Sequence, residues 1–372
     1  MPDIRLALQQ AWLTKGLIAC VLRPVSLLFG ALLWLRKLLY RLGVFHSQRL
    51  PVPVIVVGNV FVGGVGKTPL VIALVKQLTA TGLKVGVLSR GYGRSGEGSQ
   101  PVTPQSLAQD VGDEPLLIAR ACQVPVFVGK NRFEAGSDLL AQNPYVQVIV
   151  CDDGMQHLGL QHDLALCVFD ERGIGNGWLL PAGPLREGWP RKQDDHAPLI
   201  TVMTLNSLGK RPQEQQKVEG QEHPQGQDDG RTSATKQKQR LPKSDFEVPR
   251  VLADFAQQAD GTTQALSSFR GQKAQALAGI GKPEVFFNML RAQGIALSKT
   301  QALADHDDMR ALQIDPGLGA VFCTEKDAVK LWEFQPKAWA VPLITEIPEE
   351  LLQAILADVG PKLSSVHGHQ TT

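Results

Sequence analysis

Lys67 and Thr68 stand at the end of a glycine-rich turn, Gly63-Gly64-Val65-Gly66, and residues of these types at this spacing suit a bound polyphosphate. The turn follows an apolar run at 54–58 and opens into an amphipathic stretch at 67–81. Strand, glycine loop and helix in that order let successive backbone N–H groups curl inward onto phosphate oxygens. Lys67 then reaches the β- and γ-phosphates, and the Thr68 hydroxyl can ligate Mg²⁺. Phe61, Val62, Gly63, Gly64, Val65, Gly66, Lys67 and Thr68 are therefore read as the loop that binds a nucleoside triphosphate. The bland alternative, a glycine turn with an incidental Lys-Thr pair, does not account for the strand and helix signals on either side. One departure matters. Phe61 stands where G-x-x-x-x-G-K-[ST] has its first glycine, and Val62 stands where dimer-sandwich ATPases carry a lysine for the partner's nucleotide.

A second apolar run, 146–151, leads straight into Asp152 and Asp153. Acids at a strand end beside a phosphate loop hold Mg²⁺ directly or through water, although two aspartates also cap strand ends without chemistry. Asp113 and Glu114 precede a helix, where they serve either the helix dipole or a reaction. His306 lies among Asp305, Asp307 and Asp308, and carboxylates there would raise its pKa and orient one ring nitrogen. A surface histidine is the plainer reading of it. Arg90 sits in Ser89-Arg90-Gly91-Tyr92-Gly93-Arg94, and Arg186 in the run 179–187; a guanidinium fork at a strand end suits phosphate. Thr324-Glu325-Lys326-Asp327 fails as a guanine reader of the N-K-x-D kind, because Lys and Asp are adjacent.

These groups need elements to hold them. Strands are expected at 52–58, 84–89, 124–129, 146–151 and 164–169, with helices at 67–81, 114–122 and 132–142 between them. Continuous apolar strands alternating with helices imply an α/β fold with a parallel sheet covered on both faces, its ligand at the carboxyl ends of the strands. Past 245 a second, smaller α/β segment is expected, with strands at 274–280, 320–324 and 338–345 and helices at 283–293 and 325–334. The expected division is an apolar N-terminal region at 1–45, a nucleotide-binding domain at 46–205, an insertion at 206–245 and the smaller domain at 246–372. The insertion is rich in Gln, Lys, Gly and Pro and has almost no apolar surface to bury, so it is expected to be disordered and dispensable.

The chain of 372 residues is 43% hydrophobic and 20% charged, with formal net charge +2. That length supports two cores. The near-neutral balance and the lack of reading motifs argue against nucleic acid as a partner, and no obligate protein partner is inferred. Five cysteines lack a C-x-x-C pair and three lie in apolar strand-like runs, which suggests reduced core residues of a cytosol-facing protein and not a zinc or disulfide framework. Residues 16–35 are mostly apolar and, as a helix, would span about 30 Å. Arg23 and Pro24 interrupt the run, and Arg36, Lys37 and Arg41 follow it. Three readings compete: a membrane anchor, an interfacial helix and a buried helix. Cations directly after the apolar run favour a cytosolic exit or an anionic lipid surface.

Taken together, the stretches VGNVFVGGVGKTP, SRGYGR, VGDEP, CDDGMQH, LLPAGPLRE, AGIGKPEVFF, ADHDDM and TEKDAVK resemble, in order and across nearly the whole chain, the tetraacyldisaccharide 4′-kinase family. The insertion at 206–245 departs from the family pattern, and Met309 stands where an aromatic is common. The resemblance implies a P-loop NTPase-like domain with a smaller α/β domain and a membrane-associated N-terminal helix. It implies transfer of the ATP γ-phosphate to the 4′-hydroxyl of a tetraacylated glucosamine disaccharide 1-phosphate, a lipid A precursor, at the cytoplasmic face of the bacterial inner membrane. Carried over, Asp113 becomes the base, assisted by His306, with Lys67 on the phosphates. Thr68, Asp152, Asp153 and Glu187 organise Mg²⁺, and Arg90, Tyr92 and Arg186 line the acceptor side. Two other classes compete with it: a membrane-tethered nucleotide switch or partitioning-type ATPase, which wants a lysine at position 62, and a soluble phosphate-loop enzyme acting on a small metabolite.

Overall fold

The computed structural model describes residues 12–191, 197–206, 242, 244–305, 307, 309, 312 and 314–367. Its larger sheet is built from β1 (Val54–Gly58), β2 (Val85–Ser89), β3 (Gln100–Val102), β4 (Val126–Val128), β5 (Val148–Asp152), β6 (Leu164–Phe169), β7 (Leu199–Asn206), β8 (Phe246–Leu252) and, from near the C-terminus, β15 (Leu343–Thr345). Their order is β15-β8-β7-β6-β1-β5-β2-β4-β3, parallel except at the two edges, where β15 runs against β8 and β3 against β4. Strand β1 lies between β5 and β6. The connection from β1 and those from its neighbours leave in opposite directions there, and a crevice opens at the carboxyl ends.

Successive strand residues serve opposite faces. Ile55, Val57, Val148, Val150, Leu164 and Leu166 belong to one core; Val54, Val56, Ile149, Cys151 and Cys167 belong to the other. The first face is covered by α2 (Lys67–Ala80), α4 (Asp113–Cys122) and α8 (Glu349–His367). The second face is covered in part by α5 (Arg132–Gln142), which follows α4 and the short α3 (Ala108–Val111) in the chain. Helix α2 forms because Leu70, Val71, Leu74, Val75 and Leu78 recur at helical spacing, all buried. Pro69 is tolerated in its first turn, and Gly82 at φ 93° ends it beyond the Thr81 cap.

The smaller sheet has the order β10-β9-β14-β13-β11-β12, formed by β9 (Phe255–Gln257), β10 (Thr263–Ala265), β11 (Lys273–Ala278), β12 (Ala296–Ala302), β13 (Ala320–Thr324) and β14 (Trp339–Val341). Helix α6 (Pro283–Ala292) packs Phe286, Phe287 and Leu290 into its core, and α7 (Glu325–Leu331) follows β13. The expected single strand at 338–345 is two strands, broken at Pro342. A residue without an N–H cannot continue the ladder, so β14 stays in the small sheet while β15 crosses to the large one. The expected cut at 206–245 therefore does not divide the sheets: β8, β15 and α8 all return to the first core. Of that insertion, residues 207–241 and 243 lie outside the described residues.

Helix α1 (Leu17–Arg41) runs through Arg23 and Pro24, the residues that interrupt its apolar run, as one continuous helix. It is long and apolar enough to cross a membrane. Leu17, Val21, Val25, Leu28, Leu32 and Leu35 are exposed along one face, while Ala19 and Ser26 on the other are buried against the body of the protein.

Leu74, fully buried under β1 and β5, lies far from any charged group of the site. Leu74→Ala is expected to cost about 2–5 kcal/mol of unfolding free energy, measured as a lowered denaturant midpoint.

Candidate active site

The loop between β1 and α2 turns through left-handed backbone at Gly63 (φ 103°) and Gly66 (φ 84°). A side chain at Gly66 would also place its Cβ 1.8 Å from Arg250 Nη1. Lys67 folds back over the loop, its Nζ 3.1 Å from Asn59 Oδ1 and 3.4 Å from Asp153 Oδ1. Thr68 is buried at the helix start. Two carbonyls of the loop are tied down from outside it. Arg172 Nη2 donates to the Gly64 oxygen at 2.7 Å, and Arg250 Nη1 and Thr204 Oγ1 donate to that of Val65 at 3.2 and 3.1 Å. Those bonds occupy both carbonyls and fix the course of the turn. Phe61, in the place of the usual glycine, is buried and carries the Arg172 guanidinium 4.4 Å from its ring centre.

Asp152 closes β5 with its carboxyl buried and neither oxygen hydrogen-bonded to protein. Burial, followed by the charge of Glu114, pushes this carboxyl up to about 8. Asp153, one residue on, has φ 51° and pairs with Lys67 and with Arg186 Nη1 at 3.2 Å. Burial alone would raise it, yet those two cations hold it below the ordinary carboxylate range. An uncompensated buried carboxylate beside a phosphate loop is the chemistry of a hard-cation seat. Among the described residues no three His, Cys, Asp or Glu side chains cluster tightly enough to enclose a metal by themselves. The donors thus fit Mg²⁺, an ion that keeps several waters and shares phosphate oxygens.

Asp113 begins α4 and is buried. Gly112 before it, at φ 96°, packs so closely on the turn 89–94 that a Cβ would come 3.1 Å from Gly91 Cα. Arg90 and Tyr92 project from that turn into solvent. Lys330 of the smaller lobe approaches Asp113 Oδ2 to 3.0 Å. His306 lies outside the described residues, while its neighbours Asp305 and Asp307 do not. His157 of the CDDGMQH run stays neutral, because burial, with Arg132, Arg36 and Arg90 around it, pushes its imidazole down to about 4.

The run 178–187 is strapped to the phosphate loop: Val62 N donates to the Pro184 oxygen at 2.9 Å and Arg186 N to that of Val60 at 2.7 Å. Helix α1 sits directly on the same run. Ser26 Oγ donates to the Leu179 oxygen at 2.8 Å, Arg23 lies 4.4 Å from the Trp178 ring centre, and Lys37 Nζ stands 3.4 Å from Glu187 Oε2. Glu187, buried, also accepts from Gln156 Nε2 at 2.9 Å, and Gln156 in turn donates to the Asn59 oxygen at 3.0 Å.

Sequence reasoning missed Asn59, Gln156, Arg172, Thr204, Arg250 and Lys282, whose Nζ reaches Asp170 of the first lobe at 3.1 Å. Arg172 was within reach of the strand-end rule, since it follows β6 by three residues. Arg250 carried no signal, lying in mid-strand on β8.

A parallel sheet with a phosphate loop at its switch point, paired acids on the adjacent strand and a second lobe overhead define a phosphate-loop phosphotransferase of the NTPase fold. The family profile described as Tetraacyldisaccharide-1-P 4′-kinase matches residues 18–360. The chain belongs to that family. A tetraacyldisaccharide 4′-kinase from Polaromonas naphthalenivorans is 46% identical, the match covering 98% of this chain and 99% of the relative. One from Acidovorax ebreus is 45% identical over 97% and 96%. The solved structure of the Aquifex aeolicus enzyme, an "apo" form in complex with ATP, superposes with a TM-score of 0.70 at 27% identity, covering 92% of this chain and all of that one. The chain is accordingly an ATP-dependent kinase of lipid A biosynthesis.

Asp152 supplies a test with a definite sign. Its folded pKa, pushed up to about 8, lies above that of an ordinary aspartate, so the unfolded chain releases that proton first and stability falls as pH rises between about 4 and 8. Asp152→Asn is expected to raise the thermal midpoint at pH 8 while abolishing turnover. Equal midpoints for both proteins across that range would contradict the assignment.

Proposed function

We propose that the chain transfers the ATP γ-phosphate to the 4′-hydroxyl of a tetraacylated glucosamine disaccharide 1-phosphate at the cytoplasmic face of the inner membrane, with Asp113 as base assisted by His306. The observation that carries this is the seating of an apolar helix on the run 178–187, which is itself strapped to the phosphate loop by the Val62 and Arg186 amides. Greasy acceptor and nucleotide are thereby served by one continuous piece of structure. The exposed stripe on α1 faces lipid, and Arg36, Lys37 and Arg41 lie toward the headgroups.

The chemistry asks mainly for positioning and charge neutralisation. Loop amides and Lys67 grip the triphosphate, and the carboxylate of Asp113 takes the proton of the attacking hydroxyl. Thr68, Asp152 and Asp153 would hold Mg²⁺, with Glu187 as a further candidate ligand; when bound, the ion neutralises charge developing on the transferred group. Arg90, Tyr92 and Arg186 line the acceptor side. Burial first, and then the charges of Arg132, Arg36 and Arg90, lower the basicity of His157, and those three cations add to the positive field that an acceptor already bearing a phosphate would meet. Closure of the smaller lobe would shut water out of the crevice.

In vesicles containing the disaccharide lipid, label from γ-labelled ATP is expected in the lipid; label in water alone would overturn the reading. Asp113→Ala and His306→Ala are expected to lower kcat by about 10²-fold or more. Lys67→Ala should raise the KM for ATP and lower kcat together. Replacing Leu28 and Leu32 by Glu is expected to release the enzyme from vesicles in a flotation assay while leaving ATP binding intact.

A further inference from the structure

The run Thr324-Glu325-Lys326-Asp327-Ala328-Val329-Lys330 begins with four residues that fail as a guanine reader, yet its geometry is tightly built. Thr324 caps α7 by accepting from the Asp327 N–H, and buried Asp327 accepts from the Gly279 N–H at 3.0 Å. Those bonds lock the helix onto the small sheet. They also aim Lys326 and Lys330, one turn apart, at the first lobe.

Each lysine bridges the same two elements. Lys326 Nζ stands 3.2 Å from Glu114 Oε1 and 2.9 Å from Asp305 Oδ1. Lys330 Nζ stands 3.0 Å from Asp113 Oδ2 and donates also to the Asp307 carbonyl. Both acids at the start of α4 are therefore tied, residue by residue, to the segment 305–307. Lys330 is only 14% exposed and Asp113 only 9%. A pair so withdrawn from water escapes most of the screening that makes surface pairs worth little. Burial alone would depress Lys326, but Glu114 and Asp305 raise it above the ordinary lysine range and keep it charged.

We propose that Lys330 is a positioning residue for phosphoryl transfer: from the second lobe it pairs with and aims the Asp113 carboxylate, while Lys326 fixes the adjacent acid and Asp305, so that the base is correctly set only when the lobes are together. The proposal rests on the reading of Asp113 as the base. Among the described residues, the charged groups at Asp113 are Lys330, which pairs with it, and Glu114 next to it, with Lys326, Asp305 and Asp307 held by the same contacts. Removing the Lys330 cation leaves Asp113 easier to protonate, so the acid limb of the rate profile must move to higher pH.

The test uses the full-length enzyme on vesicles containing the disaccharide acceptor, with kcat, both KM values and thermal midpoints measured over about pH 5 to 9, the range in which acid–base limbs are read. Lys330→Gln is expected to lower kcat about tenfold or more with the KM for ATP within about twofold, the pattern of a group that matters in the transition state. Its acid limb should shift upward, and Lys330→Arg should restore both. A folded Lys330→Gln enzyme with wild-type kcat and limb, alongside an inactive Asp113→Asn, would overturn the proposal and leave the base standing. Near-normal turnover in Asp113→Asn would instead remove the base itself, and the proposal with it. Should the glutamine variant fail to fold, the arginine variant decides: its acid limb must coincide with wild type, and a shifted limb overturns the argument from charge.

Discussion

Backbone N–H groups converge on a phosphate only where the chain turns through conformations that side chains oppose. Gly63 and Gly66 supply that turn between β1 and α2. Almost everything nearby fixes the course of the turn. Arg172, Arg250 and Thr204 bond to the loop carbonyls, Asn59 and Asp153 hold Lys67 over it, and the buried core under α2 fixes the helix whose first N–H groups complete the cradle. Phe61 is compatible with this because its backbone pairs with Leu185 and its ring turns away under Arg172, so the missing glycine is replaced by packing.

A lipid acceptor adds a second constraint, that the crevice open at a bilayer surface. Helix α1 meets it by an inversion of ordinary amphipathicity. Large aliphatic residues point outward and small or polar ones, Ala19, Ser26 and Gly30, point toward the protein. Water would penalise that arrangement, since several leucines stay wet. The contacts on the inner face are polar and specific, and Lys37 to Glu187 begins a chain that passes through Gln156 and Asn59 to Lys67. Helix α1 and Lys67 of the phosphate loop therefore belong to one hydrogen-bonded network.

The two lobes are less separate than their order in the chain suggests. Strands β8 and β15 and helix α8 return to the large sheet, so the smaller lobe is held by two strand crossings as well as by ion pairs at Lys282, Lys326 and Lys330. A lobe tethered at its base and paired across its mouth suits an enzyme that must admit a bulky acceptor and then exclude water.

The glycine loop, the apolar strands of the first sheet and the acids at their ends were legible in the sequence because each depends on near neighbours. A strand, a turn and a helix start are set by spacing within about ten residues. The ordered run of eight motifs added the family. Pro342 divides what looks like one strand, and only the competing ladders of two sheets show that its halves part company. Arg23 and Pro24 interrupt the apolar run, yet α1 passes through both. Arg250 and Gln156 carry no local mark, since their work is done on partners about 100 to 190 residues away in the chain. Lys330 belonged to a stretch, TEKDAVK, that counted toward the family resemblance while the residue itself was given no role. Its meeting with Asp113 follows from docking one lobe on the other, and no spacing encodes that approach, because the two residues are brought together by buried surface and charge and not by the chain between them.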